Sequence, residues 1–163
     1  MTETPLPEQV FSPSRAPVGG GCQRAYRIGL TGNIATGKSN VGHLLHGLGA
    51  AYIDADKVAH EVMAPGQAAY QAVVAHFGAR VLAPDGTIDR RALGAIVFSD
   101  PEELRELERC VHPAAIAEVE RRIQASTACV VVVEAIKLLE SGMAETYDAI
   151  WVTTCPEAEQ VRR

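Results

Sequence analysis

Gly32, Gly37, Lys38 and Ser39 stand at the spacing G-x-x-x-x-G-K-[ST] inside LTGNIATGKSN, residues 30–40. The chemistry this pattern serves is the gripping of a phosphate chain. Glycines accept positive φ, so the backbone can curl and aim several N–H groups at one anion. Lys38 adds a full positive charge suited to β- and γ-phosphate oxygens, and Ser39 offers a hydroxyl for Mg²⁺. The turn as a whole, Gly32, Asn33, Ile34, Ala35, Thr36, Gly37, Lys38, Ser39 and Asn40, is the candidate nucleotide-phosphate site. A loop of this kind needs a strand before it and a helix after it.

Both are legible. AYRIGLT, residues 25–31, alternates Tyr26, Ile28 and Leu30 and reads as a strand. From Lys38 to Leu48, the residues Val41, Leu44, Leu45 and Leu48 recur at helical spacing, and that helix would point its positive end at the same phosphates. Further strands are expected at 50–56, at 129–135 in the β-branched run CVVVVEA, and at 147–155. Helices are expected at 56–63, 67–77 and 90–97, and from Pro101 to about Ala125 with an interruption at His112-Pro113. A last one is expected from Pro156 to Arg163. Strands alternating with helices predict a three-layer α/β fold with a parallel sheet. Residues 57–127 hold no strong strand and read as a helical insertion placed to bind substrate. Residues 1–25, rich in proline and then glycine, read as a disordered extension or the product of a start codon chosen too early.

The 163 residues are 47% hydrophobic and 21% charged, the balance of one globular domain with a real core. A net charge of −5 argues against general nucleic-acid affinity. The most apolar run, ACVVVVEAIKLL, is too short to span a membrane and is broken by Glu134 and Lys137. Cys22, Cys110, Cys129 and Cys155 form no C-x-x-C pair, so reduced thiols in a cytoplasmic protein are expected.

The ordered succession IGLTGNIATGKSNV, YIDADKVAHEVMAPG and HFGARVLAPDGTIDRRALGAIVFSDPEELRELERCVHP resembles the dephospho-coenzyme A kinase family of P-loop NTPases, over about residues 26–163. The loop alone is common to many NTPases. The D-A-D after a strand, the D-G-x-x-x-R-x-x-L-x-x-x-V-F segment and the L-E-x-x-x-H-P segment are more specific. The resemblance implies transfer of the ATP γ-phosphate to the ribose 3′-hydroxyl of dephospho-CoA, the last step of coenzyme A synthesis. It implies sheet order 2-3-1-4-5. It matches Asp54 and Asp56 to two substrate-site carboxylates, with Asp56 the base at the acceptor hydroxyl. Asp54 also fits a strand-end turn or helix N-cap; Asp56 lies just past a strand's carboxyl end, where ligands bind in open α/β sheets. His60 is a phosphate contact or part of a solvated helix face. Arg90 and Arg91 orient substrate or pair with nearby acids. His112 is a structural residue at the helix break.

Two features depart from the family pattern D-x-P-L-L-F-E-x-G and its continuation. EAIKLLESG, residues 134–142, keeps Glu140 and Gly142 but has Glu134 for Asp, Ile136 for Pro and Lys137 for Leu. Glu134 preserves an acidic position able to orient Mg²⁺ through water, while Lys137 is a phosphate contact or a snorkelling surface lysine. The chain also ends at Arg163, before the family's arginine-bearing lid and fifth strand. That predicts an open edge at the fourth strand, where Ile150, Trp151 and Val152 suit a covered position. Self-association or aggregation and little activity of residues 1–163 alone are expected. Two other readings stand beside this one: a different small-molecule P-loop kinase, and a non-catalytic nucleotide-binding protein. No N-K-x-D motif supports a GTPase.

Overall fold

The computed structural model describes Cys22, residues 24–136, Leu138 and residues 143–162. The expectations for the N-terminal extension, Lys137, Glu140 and Gly142 lie outside these residues.

Four parallel strands, β1 (Tyr26–Gly32), β2 (Ala51–Asp54), β3 (Val130–Glu134) and β4 (Ala149–Thr153), form one sheet in the order β2-β3-β1-β4. This is the first part of the order implied by the resemblance. β1 pairs with β3 with Ile28 opposite Val132 and Leu30 opposite Glu134, and β2 pairs with β3 with Tyr52 opposite Val132 and Asp54 opposite Glu134. Partners across a parallel ladder share a face, and the face alternates along each strand. Ile28, Leu30, Tyr52 and Val132 therefore lie on one side, packed with Val41 and Leu45 of helix α1 (Lys38–Gly47). Ile53, Val131 and Val133 lie on the other, packed with Val111, Ala115, Val119 and Ile123. The valine run of β3 is buried on both faces, as a central parallel strand must be.

Between β2 and β3 the chain is helical: α2 (Ala55–Glu61), α3 (Tyr70–Phe77), a short 3-10 turn (Gly78–Val81), α4 (Arg90–Val97) and α5 (Pro101–Ala125). Local chemistry sets their starts. Asp54 accepts from Lys57 N, Asp89 from Arg91 N and Ala92 N, and Asp100 from Glu102 N, each satisfying amides that a helix leaves unpaired. Pro101 sits where its missing N–H costs nothing. Arg27 of β1 makes a two-pronged ion pair with Glu120, at 2.9 Å for both contacts, which ties α5 to the sheet.

Two expectations are corrected. α5 is continuous for 25 residues through Pro113, so His112 marks no helix break and is a half-buried helical residue. The stripe Val111, Ala115, Val119 and Ile123 stays packed on both sides of the proline. Pro113 itself is exposed, and the Arg109 carbonyl deprived of its donor belongs to an exposed residue that water reaches. Tertiary packing outweighs the local penalty. The helical spacing read over 38–48 holds, although Leu44 is 69% and Leu48 84% exposed and the helix approaches the sheet through Val41, Gly42 and Leu45. Second, the four cysteines are not all thiols. Cys22 and Cys129 form a disulfide with Cα atoms 5.4 Å apart, leaving Cys110 and Cys155 free. Each cysteine of the pair just precedes a strand of the β1–β3 ladder, where Tyr26 N already donates to the Cys129 carbonyl at 2.8 Å. Their separation of 107 residues hides that proximity in the sequence.

β4 forms one edge. Its only strand partner among the described residues is β1, and Trp151 and Val152 are exposed. No helix among the described residues is long and apolar enough to cross a membrane.

Replacing Pro113 by alanine restores an amide donor to the middle of α5. The fold is expected to gain roughly 1–3 kcal/mol, read as a higher urea midpoint with unchanged slope. A lower midpoint would mean that the ring is itself a required packing element.

Candidate functional site

The phosphate loop is the turn from β1 into α1. Gly32 leaves the strand with φ 145°, Ala35 takes φ 63° and Gly37 takes φ 91°. Gly32 is required twice over, because a Cβ there would stand 2.4 Å from both the carbonyl oxygen and Oγ1 of Thr153 at the end of β4. Thr36 fastens the loop from within: its hydroxyl donates to the Asn33 carbonyl at 2.8 Å and lies 2.7 Å from Thr153 Oγ1. Gly37 caps α1 without a side chain, so no side chain satisfies the first amides of the helix and they are available to an anion. Ala35, Gly37, Lys38, Ser39 and Asn40 line an open recess of about 250 Å³.

Lys38 is buried, and its ammonium donates to the carbonyls of Gly32 at 2.8 Å and Asn33 at 3.0 Å. These bonds hold the charge beneath the loop. Asn33, Ile34 and Asn40 are exposed along the turn.

The sheet register brings acids to the same place. Glu134 ends β3 beside Leu30 and Asp54, on the face that α1 covers. It is a buried carboxylate with two hydroxyl donors: Ser39 at 3.0 Å to Oε1 and Tyr52 at 2.5 Å to Oε2. Burial first, and then the neighbouring Glu134 carboxylate, hold the Tyr52 phenol protonated to well above its ordinary range. Asp54 caps α2, the alternative left open by its sequence position, and lies 3.8 Å from the Lys57 ammonium. Asp56 sits in the first turn of α2. Its carboxyl is raised above the usual range by desolvation, then by the charges of Asp54 and Glu134, with Lys38 and His60 acting in the opposite sense. His60, one turn further along α2, is thereby placed on the Asp56 side of the helix.

Lys38, Ser39, Asp54, Asp56 and His60 are thus gathered at the carboxyl end of the sheet. Arg90 and Arg91 are not part of this cluster. They open α4, which packs on α5 and the 3-10 turn, and both are exposed. Among the described residues neither has the expected acidic partner. Two contributors escape sequence reading, Tyr52 and Thr153. Tyr52 was open to detection, because it precedes Asp54 by two in a strand and so shares its face. Thr153 depends on which strand lies beside β1. A larger recess of about 500 Å³ between α2 and α5 lies elsewhere, and its charges are spent on one another: Glu118 with Arg121 and Arg122, and Arg122 with Glu61.

The donor set also tests the fit of Mg²⁺. A serine hydroxyl and carboxylate oxygens are the hard ligands this ion takes. No group of three or more His, Cys, Asp or Glu side chains able to cage a metal occurs among the described residues.

A carboxyl whose folded pKa is raised binds its proton more tightly in the folded state. Its ionisation therefore destabilises the fold as pH climbs from the unfolded value through the raised one. Asp56→Asn is expected to raise Tm near pH 8, and the gain should vanish as pH falls below the ordinary aspartate range. A variant that melts lower than the parent at pH 8 would show attraction to Lys38 and His60 outweighing repulsion from the acids.

With this geometry in view, the comparisons with known proteins are consistent. The family model described as dephospho-CoA kinase (CoaE) matches residues 26–163. The dephospho-CoA kinase of Moorella thermoacetica is 46% identical over 140 residues, covering 83% of this chain and 66% of that protein. The one from Geobacter sulfurreducens is 45% identical over 139 residues, covering 83% and 71%. The crystal structure of TT1252 from Thermus thermophilus superposes with TM-score 0.75 at 33% identity, covering 86% of this chain and 71% of that one. The chain spans about two thirds of the length of these relatives. On the matched segment, the loop and the fold together, it belongs to the dephospho-CoA kinase family.

Proposed function

We propose that this chain carries the phosphate-binding and acceptor-activating parts of an enzyme that phosphorylates the ribose 3′-hydroxyl of dephospho-CoA with ATP. The observation that carries the reading is the meeting of two chemistries at one sheet end. The loop with Lys38 and the hydroxyl of Ser39 lies beside the acids Asp54, Asp56 and Glu134, close enough for Lys38 to act on the Asp56 charge.

The loop amides and Lys38 hold the ATP phosphates through Gly32, Asn33, Ile34, Ala35, Thr36, Gly37 and Asn40. Lys38 exchanges its carbonyl partners for phosphate oxygens and offsets charge on the γ-phosphoryl group as it transfers. Ser39 and Glu134 are the residues that would hold Mg²⁺, directly and through water. When bound, the ion neutralises charge shared by the β- and γ-phosphates. Asp56 accepts the proton of the attacking hydroxyl. Its pKa, raised by desolvation and by the charges of Asp54 and Glu134, makes it a stronger base than an ordinary aspartate. Asp54 orients α2, and with it Asp56, through the N-cap. His60 contributes a substrate-phosphate contact beside Asp56. Arg90 and Arg91, without an ion-pair partner among the described residues, contact the acceptor substrate when it spans the helical insertion of residues 57–127. The same reading places the chain in the cytoplasm, where the exposed Cys22–Cys129 pair meets reducing conditions. The open edge of β4 supports pairing between copies of the chain; a monomeric mass by light scattering at all concentrations would exclude that association.

Loss of the Lys38 charge in Lys38→Ala is expected to cost on the order of 3–4 kcal/mol of transition-state stabilisation, a few hundredfold in kcat with dephospho-CoA. The measurement is steady-state ATP turnover with dephospho-CoA as the acceptor. Near-normal turnover would mean the loop does not grip the transferred group. Asp56→Asn is expected to lower turnover by at least ~100-fold with little change in ATP affinity. If affinity collapses while turnover per bound nucleotide persists, Asp56 serves the metal and not the proton.

A further inference from the structure

Glu134 is the pivot of the site, and Tyr52 is what holds it in place. The carboxylate is buried and has a hydroxyl on each oxygen. The two donors differ in freedom. Ser39 is exposed on the first turn of α1, at the lip of the phosphate recess, and its hydroxyl can turn toward a bound cation. Tyr52 cannot turn away. Its ring lies against the bare Cα of Gly42, where an added Cβ would stand 2.3 Å from Cε2, and the His43 ring packs on it in a tilted contact, 5.1 Å between centroids and 57° between planes. Its backbone is fixed in β2 opposite Val132. One partner of Glu134 is thus free to leave and the other is fixed by packing.

We propose that Tyr52 is a positioning residue for the metal–nucleotide complex: its hydroxyl anchors Glu134 Oε2, so that Oε1 stays aimed at the cation when Ser39 releases it. The inference rests on the nucleotide-site reading above. A buried carboxylate without this anchor would be left with an unsatisfied oxygen and would swing toward other donors. Lys38, whose ammonium rests on the Gly32 and Asn33 carbonyls, is a cationic alternative at the same end of the sheet. A swing toward it would spoil the metal side and the phosphate side of the site together. Gly42 belongs to the same device, since the absence of its side chain is what admits the tyrosine ring.

The test reads metal binding apart from catalysis. Binding of a non-hydrolysable β,γ-imido ATP analogue to the full chain is measured by calorimetry in EDTA and in MgCl₂, and Mn²⁺ uptake in the ternary complex is followed by electron paramagnetic resonance. Tyr52→Phe keeps the ring and removes only the hydroxyl. The analogue should bind as tightly as to the parent in EDTA, while the affinity for Mn²⁺ falls ~10-fold or more, the range for losing a partner behind a metal ligand. In a Glu134→Gln background the same change should cost nothing further, because the group it positions is already gone. Gly42→Ala, which retains the hydroxyl but displaces the ring, should reproduce the Mn²⁺ defect, and decides the matter if Tyr52→Phe does not fold. Parental Mn²⁺ affinity in the Phe or Ala variant overturns the proposal. So does an equal loss of analogue binding with and without metal, or an undiminished Tyr52→Phe effect in the Glu134→Gln background. A parent chain that binds no analogue in either buffer removes the nucleotide-site reading itself, and this proposal with it.

Discussion

The pairing of β1 with β3 in a single register, Leu30 opposite Glu134, fixes nearly everything else in the molecule. It sets the end of β1, where the chain must turn into the phosphate loop, level with the end of β3, where a carboxylate waits. It fills the sheet's centre with Ile28, Leu30, Val131, Val132 and Val133, so the two strands cannot slide by one residue without turning a buried face outward. β2 then joins the free edge of β3 with Asp54 opposite Glu134, and β4 joins the free edge of β1 with Thr153 against Gly32. Loop, acids and the threonine that closes the loop all reach the same end of the sheet because parallel strands share their direction.

This placement concentrates like charge. Asp54 and Glu134 both act on Asp56, against Lys38 and His60; Lys57 lies beside Asp54, and Lys38 is bound by carbonyls. A core built for stability alone would avoid such an arrangement. The hydroxyls of Ser39 and Tyr52 lessen the strain by donating to the most buried of the three acids. The remaining electrostatic tension is of the sign that a phosphate chain with its divalent ion would relieve, since the ion brings positive charge to the acids and the phosphates bring negative charge to Lys38 and the helix end.

What the sequence disclosed follows the range over which each signal acts. The phosphate loop is local: its glycines, lysine and serine are consecutive, and the strand and helix on either side read from ten residues each. The α4 start at Arg90 was equally clear, because an aspartate cap and a D-G turn are neighbours in the chain. Signals that depend on a partner far away were silent or misleading. Pro113 read as a break because the packing that carries α5 past it comes from strands and helices elsewhere in the chain. The spacing of Leu44 and Leu48 told only that they share a helix face, and not that this face is left exposed. The Cys22–Cys129 pair and the approach of Thr153 to Gly32 were invisible, since each requires knowing which strands are adjacent.

The role of Tyr52 lies between these two cases, and the reason is instructive. Strand parity places residues 52 and 54 on one face from the sequence alone, but the contact that matters is diagonal. It runs from Tyr52 to the end of the neighbouring strand, spanning one step along β2 and one across to β3. Only a side chain as long as tyrosine covers that distance, and only a glycine at position 42 of the overlying helix leaves room for it. The two residues stand ten apart and look unrelated: one a small residue in a helix, where glycine is unfavourable, the other an ordinary aromatic in a strand. Their combination makes sense once the carboxylate between the loop and the sheet is seen to need an anchor that does not move when the ligand arrives.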